Sequence, residues 1–465
     1  MAVKKGRENM LAGKNMIDFT QDSIIKNLTL FSLPIVMGEL LQTLYNSVDA
    51  LVVGNFVSDI ALAAVTVSSF VTAILINFFN GMSVGANVVV SRAFGRGDKE
   101  ELVYTIRTAF TFSVILGVIL SLIGIILAPQ LLDMAGTRDE YYLEALQYLR
   151  IYLAGVMFTV IYNNGAGVLR AIGDASTPFY ALLVSCVLNI ILDVLFVMSF
   201  SMGVIGAALA TIFSQLLSSV CVYYAINRKI CSNSLAFSEI HKGKMVIADI
   251  VDIGVSAGLQ SALVSISNIF VMRYINLFNT AAVAGTRAAQ RVEKFIILPA
   301  KSFGITMTTF VSQNLGAKQY KNIRKGVIRC LLLALTVTEL LSLVMLFYPK
   351  QIVAIFNSEP DVIRVGADMM RVFTPFVFLM AVRECLLGIF RGFGFARVPM
   401  VLVLVGMVGF RQLFLAVTMH YNVDIRNIYY CYPLAWFASV LLLVLYFFAI
   451  RGRLTGLTKE SGKVE

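Results

Sequence analysis

Apolar segments long enough to cross a bilayer recur along the whole chain. A helix needs roughly 20 residues to span about 30 Å of hydrocarbon, and windows of that kind fill both halves of the sequence. Six lie in the first half, near residues 24–47, 62–90, 103–127, 143–168, 178–200 and 203–226. Six lie in the second half, near 247–275, 281–312, 323–348, 366–390, 397–419 and 429–450. The pattern predicts an all-α integral membrane protein with twelve transmembrane helices.

Two short motifs occur twice, and both pairs have the same spacing. Leu169–Gly173 returns as Phe390–Gly394, 221 positions later, and each copy is followed by a proline five residues on. Val90–Gly95 returns as Val311–Gly316, again 221 positions later. A fixed spacing of this kind indicates a duplicated module. Each module has an even number of spans, so the sequence predicts two six-helix lobes related by a pseudo-two-fold, parallel repeat.

The repeat and the loops between spans predict five segments. They are a cytoplasmic N-terminal segment (1–21), the N-lobe (22–226), a cytoplasmic linker (227–246), the C-lobe (247–452) and a cytoplasmic tail (453–465).

Composition and charge support a membrane protein and indicate its orientation. The chain is 58% hydrophobic and only 14% charged, with a mean hydropathy of +0.82, which is far more apolar than a water-soluble domain. Its net charge of +11 comes from Lys and Arg concentrated at both ends, in the linker and in alternate loops. By the positive-inside rule both termini face the cytoplasm. The charge is therefore a topology signal for a plasma-membrane protein, and no nucleic-acid partner is expected.

The first span carries a polar stripe. At 100° per residue, Glu39, Gln42, Asn46 and Asp49 fall within about 80° of one another on the helix surface. A charged side chain at the bilayer centre costs at least about 3 kcal/mol, so such residues usually face a bundle interior or a water-filled cavity. Two alternatives remain open: Asp49 caps a helix at the membrane interface, and Glu39 pairs with a basic neighbour.

The fifth and sixth spans add further polar positions. Asn189 and Asp193 are four residues apart and so share one face of an otherwise apolar helix, in which Asp193 is the only charge. Thr211 of the sixth span lies among small residues, and taken alone it is explained by helix packing.

Six motifs together resemble the multidrug and toxic compound extrusion (MATE) family over nearly the whole chain. They are Leu41–Asn46 with Asp49, Val90–Asp98, Leu169–Asp174, Arg291–Glu293, Val311–Ala317 and Arg391–Gly394. The resemblance implies two lobes that form a V around a central cavity, with export driven by protons or sodium ions. In one branch of the family a cation site is built from positions that correspond here to Asp49, Asn189, Asp193 and Thr211.

The chemistry of these four residues agrees with that implied site. Two carboxylates, an amide oxygen and a hydroxyl are the hard oxygen ligands that Na⁺ requires, and they could equally hold a proton. The coupling ion therefore stays open, and no cofactor and no other metal are expected.

Pro34 interrupts the hydrogen bonding of the first span. The resemblance implies that it is a hinge whose bend responds to the cation, and the alternative is a static kink.

The C-lobe departs from this pattern. Beyond Asp249 and Asp252 at its start, its first span offers Gln260 and several hydroxyls but no acid, whereas Glu293 of the following span lies among cations. Gln260 and Glu293, together with Glu39, Gln42 and Asn46, are predicted as additional polar cavity residues. The basic residues of this lobe either form structural ion pairs or face the cavity, and these are Arg287, Arg291, Lys294, Arg383 and Arg411.

The leading function is a monomeric cation-coupled antiporter that exports amphipathic organic compounds or drugs by alternating access. The basic C-lobe supports one alternative, a flippase or exporter of a lipid-linked or anionic metabolite. An intramembrane enzyme is less favoured, because His241 and His420 lie in or beside loops and the sequence has neither a zinc motif nor a Gly-x-Ser-x-Gly turn.

Overall fold

A computed structural model of the chain describes residues 16–21, 23–231 and 243–459, with the side chains of 44–51, 55 and 453–459 left out. Every regular element within these residues is a helix. The helices of the N-lobe are α1 (Ile24–Phe56), α2 (Asp59–Arg96), α3 (Lys99–Met134), α4 (Asp139–Ala154), α5 (Val156–Ala171), α6 (Ser176–Asp193) and α7 (Gly203–Lys229). Those of the C-lobe are α8 (Lys244–Ile275), α9 (Thr280–Gly316), α10 (Tyr320–Phe347), α11 (Pro349–Ala354), α12 (Pro360–Phe373), α13 (Phe378–Gly392), α14 (Arg397–Leu404), α15 (Arg411–Tyr421) and α16 (Ile425–Lys459).

Ten helical segments of the described chain are long and apolar enough to cross a membrane. Two further spans are bent pairs: α4 and α5 meet at 45°, and the helix ending at Phe376 meets α13 at 48°. When each bent pair counts as one span there are twelve, which confirms the number predicted from hydrophobicity. The predicted fourth and tenth spans are broken, however, where the sequence pattern was continuous.

The two bends occur at matching places but have different causes. In the N-lobe the break falls at Gly155, where a Cβ atom would lie 2.5 Å from Cγ1 of Ile212. Only a residue without a side chain allows so close an approach. In the C-lobe the break is a 3₁₀ turn, Thr374–Phe376, whose central residue Pro375 has no backbone N–H to continue the α-helical pattern.

The duplication extends to the positions of the helices. Four pairs of helices begin 221 residues apart, at Asp59 and Thr280, Lys99 and Tyr320, Asp139 and Pro360, and Ser176 and Arg397. A specific hydrogen bond is repeated as well: Ser91 Oγ donates to Ala171 O at 3.3 Å, and Ser312 Oγ donates to Gly392 O at 3.4 Å. The structure confirms the repeat that the motifs predicted.

Each lobe brings two of its helices into very close contact through a glycine. A Cβ atom on Gly167 of α5 would lie 2.5 Å from Ser83 O of α2. A Cβ atom on Gly388 of α13 would lie 2.6 Å from Gly304 O of α9. Both residues of the second pair lie 221 positions after those of the first. Small residues at such crossings let membrane helices approach until their backbones touch.

By their internal contacts the described residues form two units, 16–18 with 33–258, and 19–32 with 259–459. The start of α1 thus belongs to the second unit, and the division at Gly258 falls inside α8. The lobe boundaries expected from the sequence stay a prediction.

Phe19 fixes the start of α1 within the second unit. Its ring is buried against Phe31 and Phe310, with centroid distances of 5.0 and 5.7 Å. Its backbone N–H donates to Gln313 Oε1 at 3.2 Å, and its carbonyl oxygen accepts from Asn314 Nδ2 at 3.1 Å. Two amides of the repeated Val311–Gly316 motif therefore hold the chain just before the first span.

Candidate functional site

The N-lobe pairs α6 with α7 through a polar interface. The two helices are consecutive and joined by a short connection, so they run antiparallel. Ser185 Oγ donates to the carbonyl oxygen of Ser214, which fixes the register of one helix against the other. A residue four positions after Ser185 in α6 therefore faces a residue four positions before Ser214 in α7. This register sets Asn189 opposite the turn that contains Thr211.

Asn189 and Asp193 lie on the buried face of α6 that begins at Ser185. Both are 0% exposed, and their spacing of four residues continues the helix face that begins at Ser185. Thr211 is 3% exposed and its hydroxyl donates to Ala207 O at 3.0 Å. Three of the four residues predicted for the cation site are therefore buried in α6 and α7.

Asn189 has a buried amide group for which the described residues provide no hydrogen-bond partner. Neither its Oδ1 nor its Nδ2 has a hydrogen-bond partner among the side chains and backbone that the structure describes. Leaving a buried polar group unpaired costs about 1–3 kcal/mol, so each such group calls for an explanation. A bound ion or water that takes the amide oxygen as a ligand would provide one.

A π-helical segment begins immediately after Asp193. Residues Val194–Ser199 widen the helix, and the N–H of Phe200 donates to Leu195 O at 3.0 Å, five residues back. Such segments are rare and occur frequently at functional sites. Here the widened turn separates the buried carboxylate from the end of the span.

The first span is only partly described at its predicted polar stripe. The backbone of Asn46 and Asp49 lies in α1, but the side chains of both lie outside the described residues. Glu39 and Gln42 are half-buried, and Glu39 interacts electrostatically with Arg170. Among the described side chains Glu39 forms no ion pair within 4.0 Å.

The predicted hinge, Pro34, and the predicted site residue Asp49 belong to the same helix. α1 continues through Pro34 without a break. The participation of Asp49 and the role of Pro34 as a hinge therefore stay predictions.

In the C-lobe, the five basic residues divide by burial. Arg287, Arg291 and Lys294 are exposed, whereas Arg383 and Arg411 are buried.

Among the described residues, Arg383 forms an ion pair within 4.0 Å and Arg411 forms none. Arg383 Nη2 forms an ion pair with Glu384 Oε1 at 2.6 Å, so it is a structural pair. Arg411 Nη2 donates instead to Ser267 Oγ at 2.6 Å. Gln260, one of the predicted cavity residues, accepts a hydrogen bond from Arg391 at 3.3 Å.

Sequence reasoning missed the residues that set the register of α6 against α7. Ser185 and Ser214 were not singled out, although Ser185 lies four residues before Asn189. The spacing of Ser185, Asn189 and Asp193 is a polar stripe two turns long, which was a sufficient signal.

The family model for MatE matches residues 34–195 and 257–417, which is one match in each lobe. The chain belongs to the MATE family. The relatives of this MATE chain include the "Probable multidrug resistance protein YpnP" of Bacillus subtilis, 30% identical over 81% of this chain and 84% of the relative. The "Probable multidrug resistance protein YoeA" of the same organism is 26% identical, over 92% of this chain and 94% of the relative.

Solved structures agree on the fold. One described as an "Outward-facing conformation of a multidrug resistance MATE family transporter of the MOP superfamily" has a TM-score of 0.85, with 23% identity, and the match covers 96% of this chain and 99% of the other. The chain is therefore a multi-pass membrane transporter of the MATE family, and not an enzyme.

Proposed function

We propose that this MATE transporter is a multidrug exporter driven by the inward flow of a cation, and that the cation binds at Asp49, Asn189, Asp193 and Thr211. Besides the Bacillus proteins, its relatives include the "Multidrug export protein MepA" of Staphylococcus aureus, 24% identical over 76% of this chain and 78% of the relative. The observation that carries the site is the fully buried Asn189 amide without a described partner, one turn from the fully buried Asp193.

A cation explains why these polar groups are kept inside the lobe. A buried carboxylate loses its hydration, and only a close positive charge with further ligands offsets that loss. Carboxylate, amide and hydroxyl oxygens match the ligand preference of Na⁺ and can equally accept a proton. In either case the amide oxygen of Asn189 would take part in binding the cation.

Export follows if the cation and the substrate favour different conformations. A ligand shifts a conformational equilibrium only by its difference in affinity for the two states, so cation and substrate must be coupled through the N-lobe. The membrane potential adds about 2.3 kcal/mol per charge per 100 mV. Amphipathic compounds would then be exported by alternating access, without ATP.

The hinge at Pro34 belongs to the same proposal. Solved relatives are described as MATE "in the bent conformation" and "in the straight conformation". A proline in the middle of α1 lowers the cost of moving between two such shapes, because one backbone hydrogen bond is already absent. The transporter would act as a monomer in the plasma membrane with both termini in the cytoplasm.

Reconstitution in vesicles tests the cation site. Proton and sodium gradients are imposed separately, and efflux of a cationic dye is followed for the wild type, Asp193→Asn and Asn189→Ala. We expect Asp193→Asn to lose all gradient-driven efflux and Asn189→Ala to lose most of it. Asp361→Asn is the matched control, because Asp361 forms an exposed ion pair with Arg364. Wild-type gradient dependence in Asp193→Asn would remove this residue from the site.

A second candidate function is the export of an anionic or lipid-linked metabolite. The buried guanidinium group of Arg411, which forms no ion pair within 4.0 Å among the described residues, favours it. A solved relative from Pyrococcus furiosus, 22% identical with a TM-score of 0.84, is described by the words "Reverse polarity of binding pocket suggests different function". Direct transport decides between the two candidates: if vesicles export an anionic amphiphile and do not export cationic dyes, the metabolite exporter is correct.

A further inference from the structure

The repeat allows the cation site of the N-lobe to be located in the C-lobe. Buried positions match at a spacing of 221 at the start of the fifth and eleventh spans, where Pro178 and Leu182 correspond to Pro399 and Val403. The C-lobe span then contains a π-helical segment, Val405–Phe410. A π turn holds one residue more than an α turn. The spacing beyond this segment must therefore increase to 222, and the π-helical segment of the N-lobe span, Val194–Ser199, returns it to 221 before the next helix.

Burial confirms this shift by one residue. The buried face of the N-lobe span continues through Asn189, Asp193 and Val197, and that of the C-lobe span continues through Arg411, Leu415 and Met419. Each residue of the second set lies 222 positions after its counterpart. Arg411 therefore occupies the place of Asn189, and Leu415 the place of Asp193.

The sixth and twelfth spans complete the correspondence. The buried positions Ala210, Thr211 and Ser214 of α7 have buried counterparts 221 residues later in α16, namely Cys431, Tyr432 and Ala435. Tyr432 thus occupies the place of Thr211. In the C-lobe a guanidinium, an alkyl group and a phenol replace the amide, carboxylate and hydroxyl of the N-lobe.

Arg411 is the only one of these C-lobe counterparts that carries a charge. It is 1% exposed, and its Nη2 donates to Ser267 Oγ, which also accepts from Gln412 Nε2 at 2.9 Å. Its Nε has no partner, and in the described part of the chain no carboxylate lies within 4.0 Å of it. A buried cation in such a place needs a nearby negative charge.

Glu293 of α9 interacts electrostatically with Arg411, Lys294, Arg383 and Lys301. No ion pair within 4.0 Å involves Glu293 among the residues that the structure describes. One turn away, Gln290 Nε2 donates to the hydroxyl of Tyr432 at 2.6 Å. Glu293 and Gln290 thus border the position that corresponds to the N-lobe site.

We propose that Arg411 is a tethered cation that permanently occupies the C-lobe copy of the cation site, with Glu293 as its counter-charge. A guanidinium is always charged in proteins, so this positive charge cannot exchange with an ion gradient. The C-lobe would hold its cation throughout the transport cycle, and the mobile coupling ion would bind in the N-lobe alone. The inference relies on the proposed function for the assignment of the N-lobe residues as a cation site. The occupation of the corresponding C-lobe position by Arg411 does not depend on that function.

Chemical rescue tests the proposal. Arg411→Ala leaves a vacant site beside Glu293 that should accept a small guanidinium compound. Trp436 is the only tryptophan of the chain, and its ring lies 6.4 Å from that of Tyr432, so its fluorescence reports on the C-lobe site. We expect a lower melting temperature for Arg411→Ala and a saturable recovery with millimolar methylguanidinium, because a ligand that binds only the folded state stabilises it. The wild type should show no such recovery.

Three controls define what would overturn the proposal. Arg364→Ala removes an exposed arginine and should not respond to methylguanidinium. Glu293→Gln combined with Arg411→Ala should abolish the rescue. The proposal is wrong if methylguanidinium fails to rescue Arg411→Ala, if it rescues Arg364→Ala equally, or if the rescue persists without Glu293.

Two further variants cover the case in which Arg411→Ala does not fold, and separate this inference from the proposed function. Arg411→Lys keeps the charge and Arg411→Gln removes it, so we expect Lys to stay closer to the wild type in melting temperature and Trp436 emission. A Gln variant at least as stable as Lys would contradict a role for the charge. Asp193→Asn should abolish coupled transport while leaving the rescue of Arg411→Ala intact, so each idea can fail alone.

Discussion

The N-lobe and the C-lobe share a scaffold but differ in the charges they bury. Helices begin 221 residues apart in both, and the bond from Ser91 to Ala171 has its copy between Ser312 and Gly392. At the centre of the fifth span, however, the N-lobe buries a carboxylate where the C-lobe buries Leu415. The two lobes therefore share the backbone contacts that position the helices. They differ in the charge of a few buried side chains.

The largest expected effect concerns the shared scaffold. Gly167→Ala and Gly388→Ala each place a Cβ atom against a backbone oxygen of the neighbouring helix, and backbone cannot move aside cheaply. We expect each change to lower the free energy of unfolding by about 3 kcal/mol or more, with a large loss of folded protein. Yield and thermal unfolding in detergent measure this. If one glycine tolerates alanine and the other does not, the two crossings are not equivalent.

A smaller loss of stability is expected from breaking a buried ion pair that occurs in the N-lobe and has no copy in the C-lobe. Asp174 is 2% exposed and forms an ion pair with Lys229 at 2.6 Å, whereas the corresponding C-lobe positions are Phe395 and Ile450. Lys229→Met leaves a buried carboxylate without its partner, so we expect a loss of about 2–3 kcal/mol in unfolding free energy. Thermal unfolding measures it, with Arg371→Met, which breaks an exposed pair, as the control. Equal effects of the two changes would contradict the assignment.

The smallest loss of stability is expected at the hydrogen bond that is repeated in both lobes. Ser91→Ala and Ser312→Ala remove bonds of 3.3 and 3.4 Å in corresponding places. Each should cost about 1 kcal/mol or less, with the larger loss in Ser91→Ala because Ser91 Oγ also has Asn87 Oδ1 at 3.2 Å, and the two losses should be additive in the double variant. A loss confined to one lobe would show that the matching geometry does not carry matching energy.

Much of the fold could be predicted from the sequence, because spans follow from hydrophobicity and the repeat from motif spacing. The breaks in the fourth and tenth spans were missed, although Gly155 and Pro375 were visible signals. The correspondence of Arg411 with Asn189 could not be predicted, since the sequence spacing of 221 pairs Asn189 with Phe410. Only the π segment of the C-lobe, which adds one residue to a turn, brings the arginine to that place.

The candidate site was predicted in part for a similar reason. The spacing of Asn189 and Asp193 indicated a shared helix face, which the structure bears out. The residues of α7 that lie opposite them depend on the register between α6 and α7, which the bond from Ser185 to Ser214 fixes. The polar stripe marks the face of α6 but does not identify the residues of α7 that the face meets.

The most direct test of the central claim is to count the mobile cations bound by each lobe. Equilibrium binding of radiolabelled sodium, and proton release on substrate addition, are measured for the wild type, Asp193→Asn and Glu293→Gln in detergent. We expect a single class of exchangeable cation that disappears in Asp193→Asn and is unchanged in Glu293→Gln. Retention of that cation in Asp193→Asn, or its loss in Glu293→Gln, would contradict a coupling site confined to the N-lobe.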